Sequence, residues 1–175
     1  MSLVKRLIAA LEKCVPEFDP APLLADLPEN AEEETVLYWL AEHLEKQQLM
    51  VYFEWKEYTG KIPNLKPLKP LDLSACNADF ITDLIYETPP ENLPWDIPYE
   101  LPYLEYFNDA LKPHGLRLVT FAYENAYVLC VNDDEASLDA LAASLKEFGI
   151  MLIQNEAMSK DEILACVADD GENFN

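Results

Sequence analysis

The stretch Leu116-Arg117-Leu118-Val119-Thr120-Phe121-Ala122-Tyr123-Glu124-Asn125-Ala126-Tyr127-Val128-Leu129-Cys130-Val131 holds two apolar runs of strand length joined by a short link. Residues 116–121 and 126–131 are rich in β-branched, aromatic and aliphatic side chains, and residues 122–125 suit the turn of an antiparallel hairpin. Leu116, Leu118, Val128 and Cys130 fall on one face, and Val119, Phe121, Leu129 and Val131 on the other. A sheet with one face in water would alternate apolar and polar residues, so this hairpin predicts a sheet covered on both sides.

The flanking elements follow from caps and periodicity. Tyr99 to Lys112 reads as a helix closed by Lys112-Pro113-His114-Gly115, where Gly115 can take the left-handed closing conformation. Asp133 or Asp134 opens a helix reaching Phe148, Gly149 ends it, and Ile150 to Ile153 forms a strand. Ser159-Lys160-Asp161-Glu162 is a capping box that opens a last helix ending near Ala168.

Upstream, Met50 to Lys56 alternates as a strand, with Val51, Phe53 and Trp55 on one face, and Phe53 and Trp55 are expected to be buried. A short helix over 77–86 has Asn77 as its cap. Leu3, Leu7, Ile8 and Leu11 form the apolar stripe of a helix over 2–14, and a short helix follows Asp19. Asn30, before Ala31-Glu32-Glu33-Glu34, reads as the N-cap of a helix running to about Gln48.

From residue 50 the order is strand, helices, strand, strand, helix, strand, the split β-α-β arrangement called ferredoxin-like. The predicted fold is α+β, with a mostly antiparallel four-stranded sheet and N-terminal helices covering part of its second face. One domain spans 1–168, divided into a helical part (1–48), a sheet core (50–154) and a C-terminal helix (159–168), and 169–175 is expected to be a disordered tail.

The 175 residues carry 12 Lys+Arg against 33 Asp+Glu, a net charge of −21. Half the residues are hydrophobic and 11% aromatic, which excludes global disorder and supports a sizeable core. So acidic a chain is a poor direct binder of nucleic acid or of anionic membrane surfaces, because both draw on Lys and Arg. The early run Leu7-Ile8-Ala9-Ala10-Leu11 is too short for a signal peptide. Cys14, Cys76, Cys130 and Cys166 lack any pairing or metal-binding spacing, so free thiols and a cytoplasmic setting are expected.

Motifs for chemistry are scarce. Gly60, Gly115, Gly149 and Gly171 are the glycines, too few and too scattered for a phosphate-cradling loop. Asp169-Asp170-Gly171-Glu172 lacks the alternating ligands of a calcium loop, and no metal or cofactor is expected. His43 and His114 are the groups with ordinary pKa values near neutrality, and each has a bland alternative, in a helix and at a helix end. Trp95, Tyr99, Tyr103 and Tyr106, interleaved with Asp96, Glu100 and Glu105, offer either core packing or an aromatic and acidic surface. The stretch from Tyr58 to Leu71 holds Lys61, Lys66 and Lys69 and no acid.

Phe107-Asn108-Asp109-Ala110-Leu111-Lys112-Pro113-His114-Gly115-Leu116-Arg117-Leu118, with Tyr52-Phe53-Glu54-Trp55-Lys56-Glu57 and Ala126-Tyr127-Val128-Leu129, resembles an uncharacterised bacterial family over roughly residues 50–150. The resemblance implies a compact bacterial domain and supplies no activity or site residue.

Two functions compete. In the first, the chain is a non-enzymatic interaction domain whose acids, with Asp133, Asp134, Glu135 and Asp139 as candidates, bind a basic protein as an immunity protein, an inhibitor or a nucleic-acid mimic would. In the second, it is a small enzyme or small-molecule binder with a pocket near residues 95–114, using Trp95, Tyr99, Tyr103 and His114. A shared pocket holding a shifted carboxylate or histidine favours the second, and a flat acidic face favours the first.

Overall fold

The computed structural model describes residues 2–54, 58, 60–96, 100–122 and 126–172. Its elements are α1 (Leu3–Cys14), α2 (Ala21–Ala25), α3 (Glu33–Lys46), β1 (Met50–Phe53), α4 (Asp79–Glu87), α5 (Tyr103–Leu111), β2 (Leu116–Phe121), β3 (Ala126–Asn132), α6 (Glu135–Lys146), β4 (Leu152–Ile153) and α7 (Lys160–Glu172). The architecture is α+β with an antiparallel four-stranded sheet in the order β1-β3-β2-β4. β3 lies between β1 and β2, as a split β-α-β unit requires, but β4 takes the outer edge of β2, so the expected ferredoxin-like order, in which β4 lies beside β1, is not formed and β1 is left at the edge.

Both sheet faces are covered, for the reason written in the hairpin. Val119, Phe121, Leu129 and Val131 pack against Leu7, Leu11, Leu37, Leu40, Leu141 and Leu145 of α1, α3 and α6. Leu118, Val128 and Cys130 meet Leu104, Phe107 and Leu111 of α5, Ile81 of α4 and Ile163 of α7 on the other side. The stretch after β1 seals that second core: Leu65 and Leu68 are buried while Lys61, Lys66 and Lys69 point outward. The basic segment is therefore a structural plug, tied to the end of α3 by the Lys66 amide donating to Gln48 O at 2.8 Å.

Local signals account for most element ends. Ser2 caps α1 through the Lys5 amide, and Asp134 caps α6 by accepting from Ser137 N at 2.9 Å. The Ser159 and Glu162 side chains each accept the other's backbone amide at the start of α7, the reciprocal pair of a capping box. Gly115 sits at φ 66°, as the corner demands.

Several boundaries differ from expectation. Asn30 and Asn77 are not the N-caps: each accepts the amide two residues on, Glu32 N at 2.9 Å and Asp79 N at 2.8 Å. These Asx turns set the chain just ahead of α3 and α4, whose cap positions are Glu32 and Ala78. α5 begins at Tyr103, after Pro102, because a proline restricts the residue before it and favours the first turn. β1 ends at Phe53, which is half-buried at the sheet edge with its ring 4.8 Å from that of Tyr58 rather than fully buried. Trp55 and the turn residues 123–125 lie outside the described residues. β4 is shorter than expected, Leu152–Ile153. α7 continues to Glu172, past the expected end near Ala168, and 173–175 lie outside the described residues.

Candidate functional site

A cavity of about 200 Å³ opens where α5, β2 and β4 converge. Glu105 and Leu104 reach it from the first turns of α5, Thr120 from β2 and Ile153 from β4, while Tyr58, Glu100, Leu101 and Asn155 come from the connections. It is small beside the roughly 300–1,000 Å³ of drug-sized sites.

Two of its lining residues, Thr120 and Asn155, belong to a hydrogen-bonded network centred on Asn108 behind them. Asn108 of α5 is 2% exposed. Its Oδ1 accepts Leu118 N at 2.6 Å, and its Nδ2 donates to Leu118 O at 2.9 Å and Asn155 O at 2.6 Å. Asn155 Nδ2 donates in turn to Thr120 Oγ1 at 3.2 Å, and Asn155 holds the left-handed φ of 49° that an asparagine tolerates. The loop after β4 is thereby fixed to α5 and β2.

The wall carries the chemistry. Every Asp and Glu with a described side chain is exposed except Asp133 and Glu105. Asp133 is neutralised by Arg117 at 2.7 Å. Glu105 has no cationic partner among the described residues, and burial raises its carboxyl to about 7, against a smaller opposing effect from its own backbone amide. Tyr58 donates its hydroxyl to Lys61 O at 3.0 Å and sets its ring edge-on to Tyr103, 5.4 Å between centroids. Burial, with Tyr103, Glu105 and Cys76 nearby, pushes the Tyr58 phenol far above its ordinary value, so it stays a neutral donor. Among the described residues no Lys, Arg or His lines the cavity.

This pocket lies in the 95–114 region with different occupants. Tyr103 is 4% exposed and its hydroxyl shares a 2.8 Å hydrogen bond with Thr82, so it is core. Trp95 is half-buried against the second core, and His114 is exposed at the corner before Gly115. None of the three lines the cavity, and Tyr99 lies outside the described residues. Glu105, Asn155 and Tyr58 escaped the sequence reading as site residues. Glu105 belongs to the interleaved aromatic and acidic run, but what sets it apart from the exposed acids is burial, which spacing does not encode.

The acidic candidates divide as well. Asp133 holds Arg117 and Asp134 caps α6, while Glu135, in the first turn of α6, and Asp139 are exposed. His43 is 6% exposed, and its Nε2 lies 3.2 Å from Asp26 Oδ2, tying α3 to the end of α2. Burial raises the Cys14 thiol to about 11, with Asp134 adding, and the Cys130 thiol to about 12. All four cysteines are free thiols. Among the described residues no cluster of His, Cys, Asp and Glu is arranged to hold a metal ion, and no helix is long and apolar enough to cross a membrane.

No protein-family model, curated protein or solved structure matches the chain.

Proposed function

We propose that the protein binds a small molecule in the cavity between α5 and the sheet, with Glu105 as the recognising group and a small organic amine as the ligand class. The observation that carries the reading is a half-buried carboxyl, raised to about 7 and, among the described residues, without a cation beside it, inside a cavity. A protonated amine entering there meets Glu105, the Glu100 carboxylate at the mouth and the Tyr58 ring, with Leu101, Leu104 and Ile153 for its apolar part. The positive charge favours the ionised carboxyl, so binding near pH 7 releases a proton.

Calorimetry on a panel of small primary amines and their neutral amide counterparts tests this. An amine that binds with proton release in the wild type, and at least tenfold more weakly in Glu105→Gln, supports it. Equal affinity for charged and neutral members, or no binding by any member, overturns it.

A second reading, that the acidic surface binds a basic protein, is favoured by the outward placement of nearly every described acid on a chain of net charge −21. It predicts association with cationic partners that slows as salt rises, and slows further when Glu135 and Asp139 become Gln and Asn. Unchanged association rates at low salt would remove that patch from the account.

A further inference from the structure

β1 is an edge strand. It pairs with β3 on one side, and among the described residues nothing pairs with its other side. Edge strands are normally protected by lysine, proline or a bulge, because their free amides and carbonyls accept another chain. Met50-Val51-Tyr52-Phe53-Glu54 carries none of these residues. Beside the edge, Tyr38 of α3 and Tyr52 of β1 are 54% and 42% exposed. The Tyr52 ring packs 5.1 Å from that of Tyr127 on β3. Ala41, Glu42 and Glu45 of α3 complete a groove of about 360 Å³ lined by these three tyrosines. Glu42 is paired with Lys46 at 2.6 Å, whereas Glu45 is exposed and its charge, with Tyr38 and Tyr52, raises the Tyr127 phenol after burial does.

We infer that the free edge of β1, with the Tyr38, Tyr52 and Tyr127 groove beside it, docks an extended Lys- or Arg-bearing segment of a partner protein as an added strand. Backbone pairing along residues 50–53 supplies register, and alternate side chains of the guest fall over the groove. A cation there faces tyrosine rings with Glu45 beside them, a combination that rewards Arg or Lys and repels acids. Charge complementarity also selects against the simplest alternative guest, a second copy of this chain. Edge-to-edge pairing of two copies would bring −21 against −21, with Glu45 and Glu54 at the join. The inference rests on the second reading above, that a basic partner is bound, and adds where and in what conformation.

The test uses the full chain and three labelled nine-residue peptides: alternating Arg and Thr, the same with Glu for Arg, and the first with a central proline. Fluorescence anisotropy at low and moderate salt gives affinities, and hydrogen exchange reports on residues 50–53. The Arg peptide is expected to bind and to slow exchange at 50–53, while the Glu and proline peptides fail. Tyr52→Ala and Glu45→Gln, each confirmed folded by its melting temperature, should each weaken binding about tenfold. If the Arg peptide binds but neither variant nor exchange at 50–53 responds, this surface is overturned while a basic partner stands. If the Arg peptide does not bind, both fall. Protection of 50–53 that grows with protein concentration, without peptide, would show a second copy to be the guest and overturn the inference.

Discussion

Asn108 and Leu118 exchange two hydrogen bonds between α5 and β2, the Leu118 amide donating to Asn108 Oδ1 at 2.6 Å and Asn108 Nδ2 donating to Leu118 O at 2.9 Å. The asparagine amide imitates a neighbouring strand: Leu118 faces Cys130 of β3 on one side, and on its other side β4, paired with β2 only at Thr120 and Phe121, does not reach it. Because the same Nδ2 also reaches Asn155 O at 2.6 Å, one side chain fixes the helix, the central strand and the loop that lines the cavity.

Asn108→Ala should therefore cost about 2–4 kcal/mol, since buried groups lose partners that water does not replace. Asn108→Asp is expected to be worse at neutral pH, because a carboxylate accepts from Leu118 N but leaves Asn155 O without a donor and Leu118 O with only the long 3.5 Å bond from Asn155 Nδ2. Urea unfolding of both variants checks this. A loss below about 0.5 kcal/mol for Asn108→Ala would mean that the network is solvated.

Glu105 sets a pH dependence of known sign. Its carboxyl is raised from 4.5 to about 7 on folding, so the folded state holds a proton that the unfolded state has already released between those values. The associated stability is fully present below about pH 4.5 and is lost as pH rises through about 7. Glu105→Gln removes that dependence, and the variant should be more stable than the wild type at pH 8 by about 1–2 kcal/mol, the full linkage value being reduced by partial solvent screening. Subtracting the two proteins' stabilities at pH 5 and pH 8 cancels the shared repulsion among the surface acids. A difference that does not change with pH would refute the desolvated carboxyl.

Two glycines at positive φ should respond differently to alanine. At Gly60, φ 71°, an added Cβ would overlap the Tyr103 ring, whereas at Gly115, φ 66°, nothing lies within 4 Å. Gly115→Ala is expected to cost about 1 kcal/mol from backbone strain alone, and Gly60→Ala about 2 kcal/mol or more from strain and displacement of a buried tyrosine. Thermal or urea unfolding orders the pair, and equal losses would show that the 58–71 plug yields without moving Tyr103.

The thiols should fall into two classes. Cys14 and Cys130 are buried with their pKa values raised to about 11 and about 12, so neither thiolate nor access is available near neutrality. A maleimide at pH 7 should label the half-buried Cys166 and, more slowly because burial and then Asp109 push its thiol up, the half-buried Cys76, and reach the other two at the rate of unfolding. Reductant should leave the melting temperature unchanged. Mass spectrometry of a labelling time course checks both statements, and rapid labelling of all four would contradict the packing of α1 and β3.

The sequence by itself determined the two covered faces of the hairpin, because a run apolar at both odd and even positions has no wet side. It also determined the Gly115 corner and the Ser159 and Glu162 capping box and narrowed the α6 cap to Asp133 or Asp134, all of which depend on neighbours within about four residues, while the structure selects Asp134. The Asn30 assignment missed by two residues and the Asn77 assignment by one, because an asparagine side chain serves an Asx turn or a helix cap with the same local bond. Tertiary structure alone decided that β4 lies beside β2 and that β1 is left as an edge, since strand order depends on which faces the helices cover. It alone separated Glu105 and Asp133 from the other acids, and Tyr103 from the exposed tyrosines. Desolvation of a carboxyl comes from what folds over it, and Tyr58, Thr120 and Asn155, which share the cavity with Glu105, are distant from it in the chain.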